Sequence, residues 1–332
     1  MTLIVTISTP SCVIQAGDRL ITRNVTGRIE EVDAQSNKSV LYEASDGLLA
    51  ISYCGNAYIE GRPTDEWLAG LLHANVRNMF ADGPNPAAVQ LGPLPPQELL
   101  SVDRVLQQLR ESLEKLEPPF VAHNGVSVSV AGWKVKDDNA EFIAVEFSRR
   151  RGSLEGVVGS GFKRRLPTSP NSCVSWIGSG STDDVQGAFE AAWNEIHARN
   201  PPTTNDEAAA LISDLENTII GAIRLAAEQD ATVGPDVYIT TLPRPYSFPI
   251  RARTRFVSDV EHPATILTPT RHIHVPDAAA TGWVLTPTGC LAPSYLVGTH
   301  QINGRISSIA LQGAARQGNV GGLLKTIPRQ RF

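Results

Sequence analysis

The sequence predicts an α+β fold in which two antiparallel β-sheets pack face to face and pairs of helices cover the outside. Up to residue 242 the predicted elements come in groups: four strands, two helices, three strands, two helices and one strand. A doubly wound parallel sheet needs strands and helices in alternation, whereas grouped elements favour antiparallel sheets with segregated helices. Hydrophobic residues make up 42% of the chain and charged residues 19%, which suits a protein with a large core.

The first quarter of the chain has the short β-branched runs that are typical of strands. Residues 2–7 and 11–17 are rich in Val and Ile, and a Ser-Thr-Pro turn separates them. Residues 39–42 and 47–53 are two further strand candidates, joined by the turn-forming sequence Ser-Asp-Gly. The polar stretch 23–37 between these pairs is turn-prone and predicts a turn or a hairpin.

Helical spacing of apolar residues marks the four predicted helices. They cover 67–76, 99–116, 182–199 and 206–228. Asp183 and Asp184 stand in the first turn of the third helix, where carboxylates interact favourably with the helix dipole. The remaining strand candidates are 126–130, 141–147, 173–177 and 237–241.

The composition changes after Pro243. From there the chain is rich in Pro, Thr, Gly and Arg, with short strand-like runs at 283–285 and 307–311. We therefore predict one core over residues 2–242 and a β-rich C-terminal extension of unknown role over residues 243–332.

Charge, hydropathy and cysteine spacing argue against several classes of function. The net charge of −5 offers no bulk positive field for nucleic acid, and no apolar run approaches the ~20 residues of a membrane span. No C-x-x-C pair occurs among the cysteines, which predicts a reducing cytoplasm without disulfides or structural zinc; they are Cys12, Cys54, Cys173 and Cys290. His272 and His274 share a strand face, but zinc needs at least one more ligand. We predict no metal and no organic cofactor.

Thr2, directly after Met1, is the first candidate for chemistry. Threonine is small enough for methionine aminopeptidase to remove the preceding Met, and an N-terminal threonine can use its own α-amine as a general base toward its hydroxyl. A nearby Lys38 would disfavour protonation of that amine, and Asp18 could hold the lysine in place. Taken alone, each signal has a simpler explanation: Met-Thr is a common start, and an Asp–Lys pair is usually a surface ion pair.

Five segments in order resemble proteasome β subunits and the related bacterial peptidase ring subunits. They are residues 2–19, the segment Asn37-Lys38-Ser39-Val40-Leu41, residues 48–57, the segment Ile177-Gly178-Ser179-Gly180-Ser181 and the segment Gln229-Asp230-Ala231-Thr232-Val233-Gly234. The resemblance covers roughly residues 2–242. It implies an N-terminal nucleophile (Ntn) hydrolase fold, which is a four-layer αββα sandwich.

The resemblance also implies the roles of five residues at the catalytic centre. Thr2 would be the nucleophile. Asp18 would orient Lys38, and Lys38 would tune the terminal amine. Ser179 would contact that amine, and Asp230 would help to position the nucleophile and Ser179.

Three further positions follow from the same resemblance. Thr22 lies where the family uses a Thr whose backbone lines the substrate channel. The oxyanion-hole amide falls on Cys54, or on Gly55 after a one-residue shift. Val233 stands where active members carry a Ser, so a hydroxyl is missing from the network around the amine. The lysine also comes a few residues later than usual.

The sequence therefore predicts a threonine peptidase or amidohydrolase that acts on a peptide or protein substrate. The resemblance further implies a cytoplasmic homo-oligomer, as a ring or a stacked assembly, and leaves any unfoldase partner unidentified. Two alternatives stay open. One is a protein ligase or transamidase with the same Thr nucleophile. The other is a non-catalytic scaffold homologue, which Val233 and the long Asp18–Lys38 spacing favour.

Overall fold

The computed structural model describes most of residues 2–245 and only separate strands after them. The described ranges are 2–33, 38–59, 62–72, 100–116, 125–137, 139–149, 158–161, 164–166, 169–198 and 202–245, followed by seven strands between residues 253 and 311.

The first sheet has six strands, all paired antiparallel. In order across the sheet they are β12 (Arg164–Leu166), β13 (Ser169–Gly178), β1 (Leu3–Ser8), β2 (Cys12–Asp18), β14 (Val237–Pro243) and β15 (Arg253–Val257). Every residue of β1 and β2 is buried. Because successive side chains of a strand point to opposite faces, these central strands must be covered on both sides.

The second sheet has seven strands. In order they are β11 (Val158–Gly161), β10 (Asn139–Arg149), β9 (Val126–Lys136), β6 (Gly47–Gly55), β5 (Ser39–Ala44), β18 (Trp283–Thr286) and β19 (Gly289–Leu291). All neighbours pair antiparallel except β5 and β18, which run parallel. The predicted extension thus contributes strands to both sheets, through β15 and β18.

Four pairs of strands form separate hairpins. They are β3 (Ile21–Val25) with β4 (Arg28–Asp33), β7 (Tyr58–Ile59) with β8 (Arg62–Pro63), β16 (Thr265–Leu267) with β17 (His272–His274), and β20 (Leu296–Ile302) with β21 (Arg305–Leu311). Thr26 and Gly27 join β3 to β4 with φ of 50° and 85°, as a tight two-residue hairpin turn requires. The sequence predicts a turn or hairpin here but not its two strands, because charged residues lie on both faces and leave no alternation of apolar and polar positions.

The four described helices are α1 (Thr64–Leu72), α2 (Val102–Glu114), α3 (Asp183–His197) and α4 (Asn205–Gln229). Each overlaps a predicted helix; residues 73–76 of the first prediction lie outside the described residues. Thr182 caps α3 by accepting a hydrogen bond from the Val185 amide. Thr204 and Glu207 form a reciprocal capping box at the start of α4.

The layers follow from three groups of buried side chains. On one side of the first sheet, Leu3, Val5 and Ile7 pack against α3 and α4. On the far side of the second sheet, strand residues pack against α1 and α2. Between the sheets, Val13 and Leu242 of the first meet side chains of the second. The predicted α+β class, with its αββα order of layers, is confirmed.

The division of the chain into a core over 2–242 and an extension over 243–332 stays a prediction. β14 ends at Pro243, and β15 pairs with it along five positions. Within the described ranges, no helix is long and apolar enough to cross a membrane.

Candidate functional site

Asp18, the last residue of β2, lies at the centre of a buried hydrogen-bond network. Its Oδ1 accepts from the Leu3 amide at 2.8 Å. Its Oδ2 accepts from the Leu20 amide at 3.0 Å, the Gly234 amide at 3.2 Å and the Lys38 ammonium at 2.8 Å. Apart from Leu20, these donors come from distant parts of the chain, so the carboxylate ties the start of β1 to the segments that precede β5 and follow α4.

Lys38 reaches this carboxylate from the other sheet. It directly precedes β5, and its Nζ also donates to the Leu20 carbonyl at 2.6 Å. The side chains of Lys38 and Asp18 are 4% and 0% exposed. A buried ion pair overcomes its desolvation only with close geometry and further hydrogen bonds, and both are present here. The pair is therefore not a surface ion pair.

The long interval between Asp18 and Lys38 does not separate them in space. The β3–β4 hairpin takes up 13 of the residues between them, from Ile21 to Asp33, and the 2.8 Å contact between Lys38 and Asp18 still forms.

Thr2 is 5% exposed, and its backbone is held on both sides. Its carbonyl accepts from the Ser179 amide at 3.1 Å, and the next amide, that of Leu3, donates to Asp18. Gly178 permits this approach: its φ is +117°, and a Cβ there would collide with the Thr2 carbonyl oxygen. Residue 2 is thus fixed between β2 and the end of β13.

Ser179, Asp230 and Thr232 form a second polar network on the Ser179 side. The Ser179 hydroxyl donates to Asp230 Oδ2 at 2.9 Å, and the Thr232 hydroxyl donates to Oδ1 at 2.5 Å. The two hydroxyl oxygens lie 3.3 Å apart, and the Thr232 amide also donates to Oδ1, at 2.8 Å.

Thr232, directly before Val233, brings a hydroxyl into this network. Val233 is 2% exposed and packs in the apolar cluster beneath α4, where a Cβ on Gly180 would meet its Cγ2 at 2.8 Å. Sequence reasoning misses Thr232. The signal that could have found it is Asp followed by Thr two residues later, since an Asp often binds the backbone amide two residues on.

Asp230 has a pKa below its ordinary value. Burial by itself would raise the pKa of this carboxyl, but hydrogen bonds from Thr232 and Ser179 favour the ionised form and outweigh it. The network therefore holds a carboxylate, not a carboxylic acid, at neutral pH.

At the end of β6, strand geometry distinguishes the two candidate oxyanion donors. The Tyr53 amide donates to the Lys38 carbonyl at 3.0 Å, on the β5 side of the strand. Because amides alternate sides along a strand, the Cys54 amide points to β9 and the Gly55 amide points back to the side of Lys38. Gly55 is the candidate whose amide faces the site.

The segment after Gly55 is anchored by its backbone. Gly55 has φ +98°, and a Cβ there would strike the Gly125 carbonyl oxygen. The Asn56 amide donates to that same oxygen at 3.0 Å, and the Thr64 hydroxyl donates to the Asn56 carbonyl at 2.8 Å. This anchoring fixes the direction of the Gly55 amide without a bound ligand.

The Cys54 thiol is not a candidate nucleophile. The side chain packs with Ile4 and Ile177 between the sheets, which also places the end of β6 against the start of β1. Burial raises the pKa of the thiol to about 12, so it stays protonated at neutral pH.

The structure brings together the backbone of Thr2 with Asp18, Lys38, Ser179 and Asp230. Cys54 and Gly55 lie at the adjoining end of β6. Thr22 lies nearby in the chain, at the base of the β3–β4 hairpin opposite Glu31, and is partly exposed. No described group of His, Cys, Asp and Glu is arranged to hold a metal ion.

No protein-family model and no curated protein matches the chain. Among solved structures, it is similar to Anbu (ancestral beta-subunit) from Yersinia bercovieri, with 12% identity and a TM-score of 0.42 over 73% of this chain and 81% of that one. The helical assembly of the Anbu complex from Pseudomonas aeruginosa gives 12% identity and 0.43 over 78% and 88%. Anbu from Hyphomicrobium sp. strain MC1 gives 10% and 0.42 over 77% and 88%.

These similarities correct the family expected from sequence. The sequence resembles proteasome β subunits, but that assignment is wrong: the structures found are Anbu proteins, a proteasome-like but distinct family. The motifs around Thr2 and Asp18 describe a local arrangement, and a local arrangement does not distinguish between families that share a fold. At these identities no residue role is transferred.

Proposed function

We propose that this chain is a threonine N-terminal nucleophile amidohydrolase or peptidase, with Thr2 as the nucleophile after cleavage of the Met1–Thr2 bond. One observation carries the proposal. The buried Asp18–Lys38 pair holds the Leu3 amide, while Ser179 holds the Thr2 carbonyl from the other side. A buried lysine is costly to the fold, so its contact with the carboxylate that binds the amide next to Thr2 supports a chemical role for it.

The reaction would be acyl transfer from an amide. The freed α-amine of Thr2 accepts the proton of its own hydroxyl, and Oγ1 attacks the carbonyl carbon of the substrate. The oxyanion that forms accepts a hydrogen bond from the Gly55 amide. When the intermediate collapses, the C–N bond breaks and the leaving amine takes the proton from the α-ammonium. Water, activated by the same amine, then hydrolyses the ester on Thr2 and releases the acid.

The surrounding residues would keep the α-amine of Thr2 unprotonated and in position to act as the base. The positive charge of Lys38 disfavours protonation of the amine, and Asp18 keeps Lys38 in place. Ionised Asp230 orients the hydroxyls of Ser179 and Thr232 beside the terminus. Thr22 would contact the substrate chain from the base of its hairpin.

Two contacts favour the enzyme over the scaffold alternative. The Thr232 hydroxyl, next to Val233 in the chain, donates to Asp230, and Lys38 contacts Asp18 despite the long interval between them. The ligase alternative differs only in the acceptor that attacks the acyl ester. It is tested by adding peptides with and without free amine nucleophiles and comparing ligated with hydrolysed product.

We also propose that the chain forms a homo-oligomer in a reducing cytoplasm. A helical assembly is stated for the Anbu complex of Pseudomonas aeruginosa. Among the described cysteines, Cys12, Cys54 and Cys173 form no disulfide, as a reducing compartment allows. Light scattering on the purified full chain measures the oligomer; a monomer at all concentrations would contradict this part of the proposal.

The decisive experiment is intact-mass analysis of the untagged protein before and after reaction with an epoxyketone or β-lactone. We expect loss of Met1 and one adduct, mapped to Thr2. Thr2→Ala is the control that removes the hydroxyl, and Thr2→Ser should keep the reaction. If Met1 is retained, the chain is produced with a cleavable leader whose removal makes Thr2 the first residue. The labelling is then repeated on that chain. Absence of an adduct on that chain overturns the proposal.

A further inference from the structure

A row of polar side chains crosses the interior between the two sheets, where a sandwich normally has apolar packing. We call it the inter-sheet polar cluster; its members are Thr6, Gln15, Ser39, Ser52 and Ser129. Thr6 and Gln15 are directly paired on β1 and β2, and Ser39, Ser52 and Ser129 are paired in turn on β5, β6 and β9. No member is more than 4% exposed.

The Gln15 side chain connects the two sheets within this cluster. Its Nε2 donates to Thr6 Oγ1 at 3.1 Å and to the Ser129 carbonyl and hydroxyl, both at 3.3 Å. Its Oε1 accepts from the Ser52 hydroxyl at 2.6 Å. The Ser52 hydroxyl lies 3.0 Å from that of Ser39, so the chain of hydrogen bonds continues to β5.

The position of the cluster relates it to the candidate site. Gln15 lies three residues before Asp18 on β2, and Ser39 directly follows Lys38. Two connections therefore run in parallel from β2 to the start of β5: the Asp18–Lys38 ion pair and the Gln15–Ser52–Ser39 chain. On the next row away from the site, the interior becomes apolar again, with Val13 and Ala50.

Hydrogen bonds and apolar contacts differ in what they specify. Apolar burial is non-directional and tolerates a small offset between two sheets. A hydrogen bond has a narrow range of favourable distances and weakens steeply at poor angles, so a chain of them defines the offset closely. The 2.8 Å contact between Lys38 and Asp18 requires the same accuracy, since it also joins the two sheets.

We propose that Gln15 is a positioning residue: through Ser52 and Ser39 it sets the offset between the sheets that brings the Lys38 ammonium onto Asp18. The consequence for Thr2 chemistry rests on the proposed function. The predicted effect on the position of Lys38 does not rest on it.

Gln15→Met tests the inference, because it keeps the shape of the side chain and removes both polar atoms. Thr6→Val is its matched control: it removes a polar atom from the same cluster and sheet but leaves the path to Ser39 intact. Ser52→Ala and Ser129→Ala form a second matched pair, one on the path and one beside it. The serine pair also keeps the test decisive if Gln15→Met fails to fold.

The first readout does not depend on catalysis. Lysines of the folded full chain are reductively methylated, and the labelling of Lys38 is measured by mass spectrometry relative to exposed Lys115. We expect at least about fivefold more Lys38 labelling in Gln15→Met and Ser52→Ala than in their controls, because an ammonium that leaves its carboxylate becomes available. Unfolding free energies of all four variants separate this local effect from global opening. Equal labelling within each pair would overturn the inference.

The second readout is the pH profile of adduct formation at Thr2. If Lys38 recedes, the terminal amine keeps its proton to higher pH, so the rising limb shifts upward, by about half a pH unit, in Gln15→Met and not in Thr6→Val. If the rising limb of the pH profile is not shifted in Gln15→Met, the result counts against the inference. If the unaltered chain gives no adduct, the proposed function fails, and the labelling result still decides the role of Gln15.

Discussion

The Lys38 ammonium lies 2.8 Å from the Asp18 carboxylate, and neither side chain is more than 4% exposed. Asp18 ends a strand of the first sheet and Lys38 precedes a strand of the second, so the ion pair connects the two sheets, and the same carboxylate accepts from the Leu3 amide next to Thr2. Because the pair is buried, replacing one partner should change the stability of the fold as well as the reactivity of Thr2. Single and double variants separate the two effects.

We expect Lys38→Met to destabilise the fold and to abolish adduct formation at Thr2. Removal of one partner leaves the other as an unpaired buried charge, which costs about 3–5 kcal/mol. Urea unfolding measures the stability, and inhibitor labelling measures the reactivity. The control is the double variant Asp18→Asn with Lys38→Met, in which both charges are gone. It should regain part of the stability and none of the reactivity. A reactive double variant would show that Lys38 has no chemical part.

Thr232→Val should slow the reaction of Thr2 without unfolding the chain. Valine has the shape of threonine but cannot donate to Asp230, and a hydrogen bond to a charged group contributes about 1.5–3 kcal/mol. We expect a loss of about tenfold in the rate of adduct formation. Val233→Thr, which adds a hydroxyl at the neighbouring position, is the matched variant and should bring no gain because that side chain faces the apolar cluster. If Thr232→Val reacted at the unaltered rate and Val233→Thr reacted faster, the assisting hydroxyl would belong at position 233 and not at position 232.

The stability contribution of Asp230 should depend on pH in acid. Its pKa in the folded chain lies below the ordinary 3.8, so its contribution is fully present above that value and is lost as pH falls through the folded pKa. The difference in unfolding free energy between the unaltered chain and Asp230→Asn should thus stay constant between about pH 7 and about pH 5 and shrink below 3.8. Unfolding at a series of pH values measures it. A difference that grows in acid would contradict the direction of the shift.

Gly55→Ala should cost about 1–3 kcal/mol of stability and lower reactivity at Thr2. The left-handed φ and the Gly125 carbonyl oxygen both oppose a Cβ at this position, so the Gly55 amide would have to turn. Gly187→Ala provides the control, because that glycine lies in α3 with open space around it. It should stabilise the fold by about 0.5–1 kcal/mol and leave reactivity unchanged. Chemical unfolding and inhibitor labelling of both variants measure these effects.

Several local features of the fold can be predicted from sequence because they depend on neighbouring residues. The alternation of Val126, Val128 and Val130 with serines marks β9, and Thr182 before two aspartates marks the start of α3. The two strands of the β3–β4 hairpin are not predicted, because a small exposed sheet has no apolar face to give an alternating pattern. Thr2, Asp18 and Ser179 are candidate site residues through the resemblance to a known family, and their roles stay predictions.

The sequence by itself determined the class of fold, since periodicity and turn chemistry are local properties, and its resemblance to a known family nominated the residues of the proposed chemistry. Only the tertiary structure decided which hydroxyl reaches Asp230, which amide faces Lys38, and that Gln15 meets Ser52 across the sheets. The Gly234 amide, 216 residues beyond Asp18 in the chain, bonds the same carboxylate as Lys38. Such contacts depend on the register and offset of strands that are far apart in sequence. That relation is set by packing of the whole core and leaves no pattern in any one segment.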